Sequence, residues 1–284
     1  MAGRRLRITH RTGYRYAAPV VASFNEVRMT PRDADGQMLL SHQLQVSPRA
    51  TVQAYTDYWG ALVQSFDVHE EHEVLEIVAS SLVDVPVAKP PAPGTEWRTF
   101  GSASVQDAWG EFLVPTGLVD DALADPDRAA LVQQLRKLSS PALAIRGAIE
   151  AVRDRIRYDD SATSVTTTAG QAWEARGGVC QDYSHTLLSI LRGLGIPARY
   201  VSGYLHFEEE TPGQTVVGES HAWVEVWNGA WEAFDPTNDR RVGSAHVLVA
   251  RGRDYDDVPP LKGIYAGGLS ESLGVTVEIT QLEA

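Results

Sequence analysis

Cysteine is almost absent: Cys180 is the only one in a chain of 284 residues. A single thiol excludes an intramolecular disulfide and a cysteine-rich metal site, leaving an inert core residue or a reactive nucleophile. Long apolar runs are also missing. None approaches the roughly 18 residues that span a bilayer, and the basic start, Met1 to His10, has no apolar stretch of the kind a secretory signal carries. Positive charge is scarce: 25 Lys and Arg stand against 37 Asp and Glu, a net charge of −12. Such a surface repels nucleic-acid phosphates and anionic membranes, so neither is an expected partner, and the cytoplasm is the expected location by default. No internal repeat or low-complexity tract interrupts the chain. Its 43% hydrophobic content suffices for one large core or two smaller ones.

The lone cysteine is conspicuously placed. It stands in Gly177-Gly178-Val179-Cys180-Gln181-Asp182-Tyr183, ahead of Tyr183, Leu187, Leu188, Leu191 and Leu194 at helical spacing. Gly193, Gly195 and Pro197 end that helix. The leucine stripe is core packing. A thiol at a helix N-terminus, by contrast, meets unpaired N–H groups and a positive dipole end that favour a charged sulfur. A thiol nucleophile also needs a base, and the base needs a group to orient it. Ser220-His221-Ala222-Trp223-Val224-Glu225-Val226-Trp227 reads as a strand beginning at a histidine. Trp231-Glu232-Ala233-Phe234-Asp235-Pro236 reads as its hairpin partner ending in an aspartate, with Asn228-Gly229 at the turn. Alone, His221 would be a hydrogen-bonded core or surface residue and Asp235 a turn former. With Cys180, in the order Cys, His, Asp, they read as base and orienting carboxylate.

These segments resemble the transglutaminase-like superfamily of papain-like cysteine enzymes, in its bacterial branch with an extra N-terminal β domain. The resemblance rests on Gly178 to Tyr183, Leu194 to Tyr204, Ser220 to Val226 and Phe234-Asp235-Pro236-Thr237-Asn238. It extends through Ser41-His42, Asp57-Tyr58-Trp59-Gly60 and Gly252 to Val258. It implies an α+β fold: an N-terminal antiparallel β domain over residues 1–88, a connecting segment over 89–122, and a core of helices packed on an antiparallel sheet over 123–250. A C-terminal extension with a final strand occupies 251–284. It implies Cys180 as nucleophile, His221 as general base and acid, and Asp235 as orienting carboxylate. The expected chemistry is acyl transfer on amide or peptide substrates through a thioester, with a protein or peptide as substrate and neither cofactor nor metal. The competing class is a catalytically silent binding or scaffolding module on the same fold.

Hairpin register supplies a sharper expectation. A two-residue Asn228-Gly229 loop would set Glu225 opposite Glu232 and send Asp235 to the sheet face away from His221. A three-residue loop, Asn228-Gly229-Ala230, or an equivalent bulge, sets Glu225 opposite Ala233. It places His221, Trp223 and Asp235 on one face, and Ala222, Val224, Val226 and Phe234 on the other.

Elsewhere the first third reads as β structure, with runs at 39–46, 62–68 and 73–85, and Lys89 to Gly94 reads as a proline-rich linker. Asp125-Pro126 and Ser140-Pro141 read as helix starts. Val275 to Thr280 alternates as a last strand, whose return to the N-terminal domain would fit the family. His69-Glu70-Glu71-His72-Glu73, Glu208-Glu209-Glu210 and Asp254, Asp256, Asp257 lack metal-ligand spacing and read as solvated surface. Trp173 reads as a core residue rather than an oxyanion donor. The Cys180 N–H is the expected donor. Tyr204, Trp223 and Thr211 to Gln214 are expected cleft walls.

Overall fold

A computed structural model describes residues 3–88, 90, 93–206, 213–267 and 269–283, with Glu219 described by its backbone alone. Six strands come first: β1 (Arg4–Val20), β2 (Ala22–Val27), β3 (Met38–Ser47), β4 (Val52–Thr56), β5 (Leu62–Val68) and β6 (His72–Val85). Alternation accounts for most of them. In β6 every second residue from Leu75 to Val85 is buried, the period of a half-buried strand. Tyr16, Val20, Phe66, Val68, Leu75 and Ile77 form a core between the two sheets of this region. The long β1 lies in the β-rich first third but outside the runs singled out there. Arg5, Arg7 and Arg11 project outward while the alternate Leu6, Ile8 and His10 are buried.

Helices follow: α1 (Trp97–Phe100), α2 (Ala103–Trp109), α3 (Pro126–Leu135) and α4 (Pro141–Arg155). The two predicted starts hold. Asp125 accepts a hydrogen bond from the Arg128 N–H at 2.8 Å, and Ser140 accepts one from Leu143 at 3.3 Å, each with proline at the first helical position. In α4, Ala144, Ile145, Ala148, Ile149 and Val152 form the buried stripe. Then come β7 (Arg157–Tyr158), α5 (Ala169–Ala175), β8 (Gly177–Gly178) and α6 (Cys180–Gly193). Helix α6 is buried nearly all round, enclosed by α3, α4, α5 and the sheet. A helix in that position is a rigid mount for its first residue.

The remaining strands are β9 (Ala198–Leu205), β10 (Thr215–Trp227), β11 (Trp231–Asp235), β12 (Arg240–Arg241), β13 (His246–Gly252), β14 (Leu261–Ala266) and β15 (Ser270–Leu282). The large antiparallel sheet runs β12-β11-β10-β15-β1-β6-β3, with β9 between β10 and β13. The pairing of strand β15, which its sequence left open, is with β1 along most of its length and with residues 215–218 of β10, a return to the N-terminal region. It thus ties the first strand of the chain to the strand that carries His221. Leu6, Ile8, Val83 and Val85 share one core with α3, α4 and α6.

The β10–β11 hairpin has the three-residue loop. Trp227 pairs with Trp231 and Glu225 with Ala233, and the Asn228 N–H donates to the Ala230 carbonyl at 2.9 Å. Glu225 is instead clasped by Arg199 and Arg251, whose Nε atoms donate to its carboxylate at 2.7 and 2.8 Å. The register that avoids two opposed glutamates leaves this one free for two arginines. Ala222, Val224, Val226 and Phe234 face the helices, while Trp223 and Ala233 pack on the other side with Val201 and Leu248.

Candidate functional site

Cys180 is the first residue of α6 and is half-buried. The approach to it is built by close packing. The Asp182 carboxylate turns back to accept from the Val179 N–H at 2.8 Å and from the Thr163 hydroxyl at 2.6 Å. A Cβ on Gly178, at φ 157°, would lie 2.5 Å from that carboxylate. Glycine is required there by the space Asp182 needs. Gln181 donates to the Val165 carbonyl at 2.9 Å, so Gln181 and Asp182, the two residues after the thiol, fasten the 159–168 loop to the helix. The first-turn N–H groups of Cys180 and Gln181 have no acceptor within the helix, and are the donors available to an oxyanion.

His221, on β10, and Asp235, at the end of β11, are both buried, and His221 Nε2 donates to Asp235 Oδ2 at 2.8 Å. With Nε2 committed, Nδ1 is the ring nitrogen left for Cys180, which neighbours the ring. The structure therefore brings all three predicted residues together. Asp235 is further held by residues to which the sequence assigned no role. Its Oδ1 accepts from the N–H groups of Thr237 and Asn238, both at 3.1 Å, and its Oδ2 from Asn238 Nδ2 at 2.9 Å. His246 Nε2 reaches the same Oδ2 at 3.1 Å. Asn238 was findable, because an amide three residues past an aspartate in a turn commonly caps it. His246 had only one faint signal, a polar residue opening an apolar strand.

Burial alone would discharge the His221 ring, yet its hydrogen bonds to Asp235 and Cys180 outweigh that and raise it to about 10. Asp235 shows the mirror image. Burial pushes its carboxyl upward, and donation from His221, His246 and Asn238 reverses this and leaves it below the usual carboxylate range. His246 is lowered by burial against the opposing pull of Asp235. The site at neutral pH is an ionised carboxylate, a charged His221 and a neutral His246.

Among the described residues, His221, Asp235 and His246 are the one group able to offer a metal three close ligand atoms. Each of those atoms already takes part in a hydrogen bond, and these bonds account for the cluster. The wider expectations divide. Trp173 is a buried core residue, stacked under the Arg155 guanidinium. Tyr204 and Trp223 are not cleft walls: both are buried, Trp223 in the small cluster behind the sheet and Tyr204 beside His10. Thr211 and Pro212 lie outside the described residues, as do Glu208, Glu209 and Glu210. The 69–73 segment is largely a turn, although His72 is buried, donates from Nδ1 to the Glu70 carbonyl at 2.8 Å and meets the Ser23 hydroxyl at Nε2. Asp254 is also buried, capping a short 3-10 turn, while Asp257 pairs with Arg253. An open polar cavity of about 450 Å³ between α3 and α5 includes none of Cys180, His221 and Asp235.

Helices packed on an antiparallel sheet, with a helix that begins at a cysteine set against a strand bearing a histidine, define a papain-like α+β core. The superfamily model described as "Transglutaminase-like superfamily" matches residues 129–236, and "Bacterial transglutaminase-like N-terminal region" matches residues 6–84. The chain is 39% identical to the uncharacterized protein ML0607 of Mycobacterium leprae, over 98% of this chain and 99% of that protein. A crystal structure from Cytophaga hutchinsonii, named as a proposed cysteine protease, shares the fold with a TM-score of 0.79 at 21% identity, over 100% of this chain and 92% of that one. A protein of Pseudomonas aeruginosa named "Protein-glutamine gamma-glutamyltransferase" is 30% identical over 40% of this chain and 18% of its own length. The chain belongs to the transglutaminase-like superfamily.

Proposed function

We propose that the protein is a cysteine acyltransferase that works on amide bonds of protein or peptide substrates, with Cys180 as nucleophile, His221 as acid and base, and Asp235 as orienting carboxylate. The observation that carries this is the ordered contact from the first residue of α6 through His221 to Asp235, closed by the 2.8 Å hydrogen bond. The Cys180 sulfur attacks the amide carbonyl carbon, and the oxygen takes the negative charge toward the free N–H groups of the helix end. The carbon–nitrogen bond then breaks while protonated His221 gives its proton to the departing amine, leaving a thioester. An acceptor amine or water next loses a proton to His221 as it attacks the thioester carbon, and the sulfur leaves as the thiolate. Amine gives a transamidase; water gives a peptidase or amidase. The Pseudomonas relative's name points to glutamine side-chain amides as the first donors to try.

Among the described residues, no helix is long and apolar enough to cross a membrane. A cytoplasmic location goes with this reading, since that compartment keeps a lone reactive thiol reduced. The decisive experiment is mass spectrometry of the protein incubated with glutamine-containing peptides, with and without a primary amine. A thioester adduct on Cys180, discharged by amine or water, is the expected result. An unmodified Cys180 with every peptide, together with iodoacetamide alkylation no faster in wild type than in His221→Ala, would favour a silent scaffold.

A further inference from the structure

His246 has no place in the proposed chemistry, yet it is nearly sealed from solvent and aimed at the group that orients the base. It opens β13, and its backbone N–H donates to the Gly243 carbonyl at 2.9 Å while the Gly243 N–H donates back to its Nδ1 at 3.4 Å. An Nδ1 that accepts cannot carry the proton of a neutral ring. The proton therefore sits on Nε2, and His246 is a donor to Asp235 Oδ2. The edge of the Trp223 ring packs against it at 5.4 Å between centroids and 78° between planes, which fixes the ring's rotation. The titratable groups facing it are Asp235 on β11, His221 on β10 and Arg240 on β12. Those facing His221 are Cys180, Asp235 and His246.

Oδ2 thus receives His221, His246 and the Asn238 amide together. A carboxylate oxygen that accepts from several donors spreads its charge among them, and its hold on each is weaker than on one alone. That matters for a base that must also act as an acid. A His221 gripped by an otherwise bare aspartate would keep its proton too well to release it to a leaving amine.

We propose that His246 is a positioning residue for acyl transfer, a neutral Nε2–H donor that shares Asp235 with His221 and so limits how tightly Asp235 retains the His221 proton. The inference rests on the reading of Cys180, His221 and Asp235 as a catalytic set. Its consequence is specific: removing the donor makes His221 harder to deprotonate, whereas a merely structural histidine would leave that titration where it was.

The test is an imidazole nitrogen-15 NMR titration of the full chain in wild type, His246→Leu and His246→Gln. Glutamine places an amide N–H close to where Nε2 lies. Loss of the His221 proton should move up by about half a pH unit or more in His246→Leu and return to within a few tenths in His246→Gln. An unmoved titration in His246→Leu, or an equal shift in both variants, overturns the proposal. If the leucine variant fails to fold, the wild-type spectrum still decides. Near neutral pH His246 must be a neutral ring protonated on Nε2, and a charged ring or an Nδ1 proton overturns the inference. Iodoacetamide alkylation of Cys180 in His221→Ala keeps the two readings apart. A wild-type rate there removes the pairing of Cys180 with His221, while a slowed rate beside an unmoved His246→Leu titration removes only the role of His246.

Discussion

Three histidines are about equally sealed from solvent, and burial has opposite outcomes for them. His10, where β1 meets β9, touches the Tyr204 hydroxyl at 3.1 Å and is lowered to about 4 by burial. His185, in the middle of α6, accepts from the Tyr255 N–H at 3.2 Å and is lowered to about 3 by burial, with the Arg192 charge adding to the effect. His221 suffers the same desolvation but is raised to about 10, because a carboxylate that is itself satisfied by backbone and side-chain donors lies on its Nε2. The lesson is that burial alone does not decide the outcome. It penalises charge, and it also strengthens whatever partner is supplied. Around His10 and His185 the hydrogen-bond partners are neutral, and the rings become part of the packing. Around His221 the partner is an anion, and the ring keeps its charge.

The largest test of that contrast is removal of the reactive partners. Cys180→Ala should abolish turnover down to background. Asp235→Asn should keep the fold and reduce turnover by about 10²–10⁴, less than Cys180→Ala does, since the orienting group acts through the tautomer and geometry of the base. Steady-state assays with a substrate from the mass-spectrometric search measure both. Wild-type activity in the Asn variant would take Asp235 out of the set and return His221 to the company of His10.

A second test concerns stability, where the two kinds of histidine should act with opposite sign. For His221, raised from 6.5 to about 10, the stabilisation is fully present below about 6.5 and is lost as pH rises through about 10. For His10, lowered from 6.5 to about 4, the folded state holds fewer protons than the unfolded chain between those values. Its contribution is therefore present above about 6.5 and lost as pH falls toward about 4. Denaturant unfolding across pH should show His221→Gln abolishing part of the alkaline loss and His10→Gln part of the acid loss. Equal slopes in both variants and wild type would break the comparison.

The smallest effect concerns the approach to Cys180. Gly178→Ala should cost about 1–3 kcal/mol in stability, because the new methyl displaces the Asp182 carboxylate that caps Val179. Thermal unfolding measures it. A neutral substitution would show that the loop at 159–168 can yield to the added methyl.

Much of this molecule was legible in its residues. The start of α6 at Cys180, the proline-initiated α3 and α4, the strands at 39–46, 62–68 and 73–85, and the order of Cys180, His221 and Asp235 follow from local signals. Those signals are capping, periodicity and turn chemistry, which act over a few residues and leave their mark in sequence. Even the hairpin register was decided locally, because a slip of one residue would have reversed every side chain between β10 and β11. The rest depends on contacts between distant segments. The buried face of β1 forms only once that strand is paired between β6 and β15, and Trp223 and Tyr204 looked like cleft walls until β13 and β1 covered them. His246 is the clearest case. Its own neighbourhood marks it only faintly, as a polar residue opening an apolar strand, and it reaches Asp235 only because β9 joins β13 and β10 in one sheet. A side chain's protonation is set by what surrounds it in three dimensions, so the sequence could name the carboxylate and the base while only the packed structure could say how firmly one holds the other's proton.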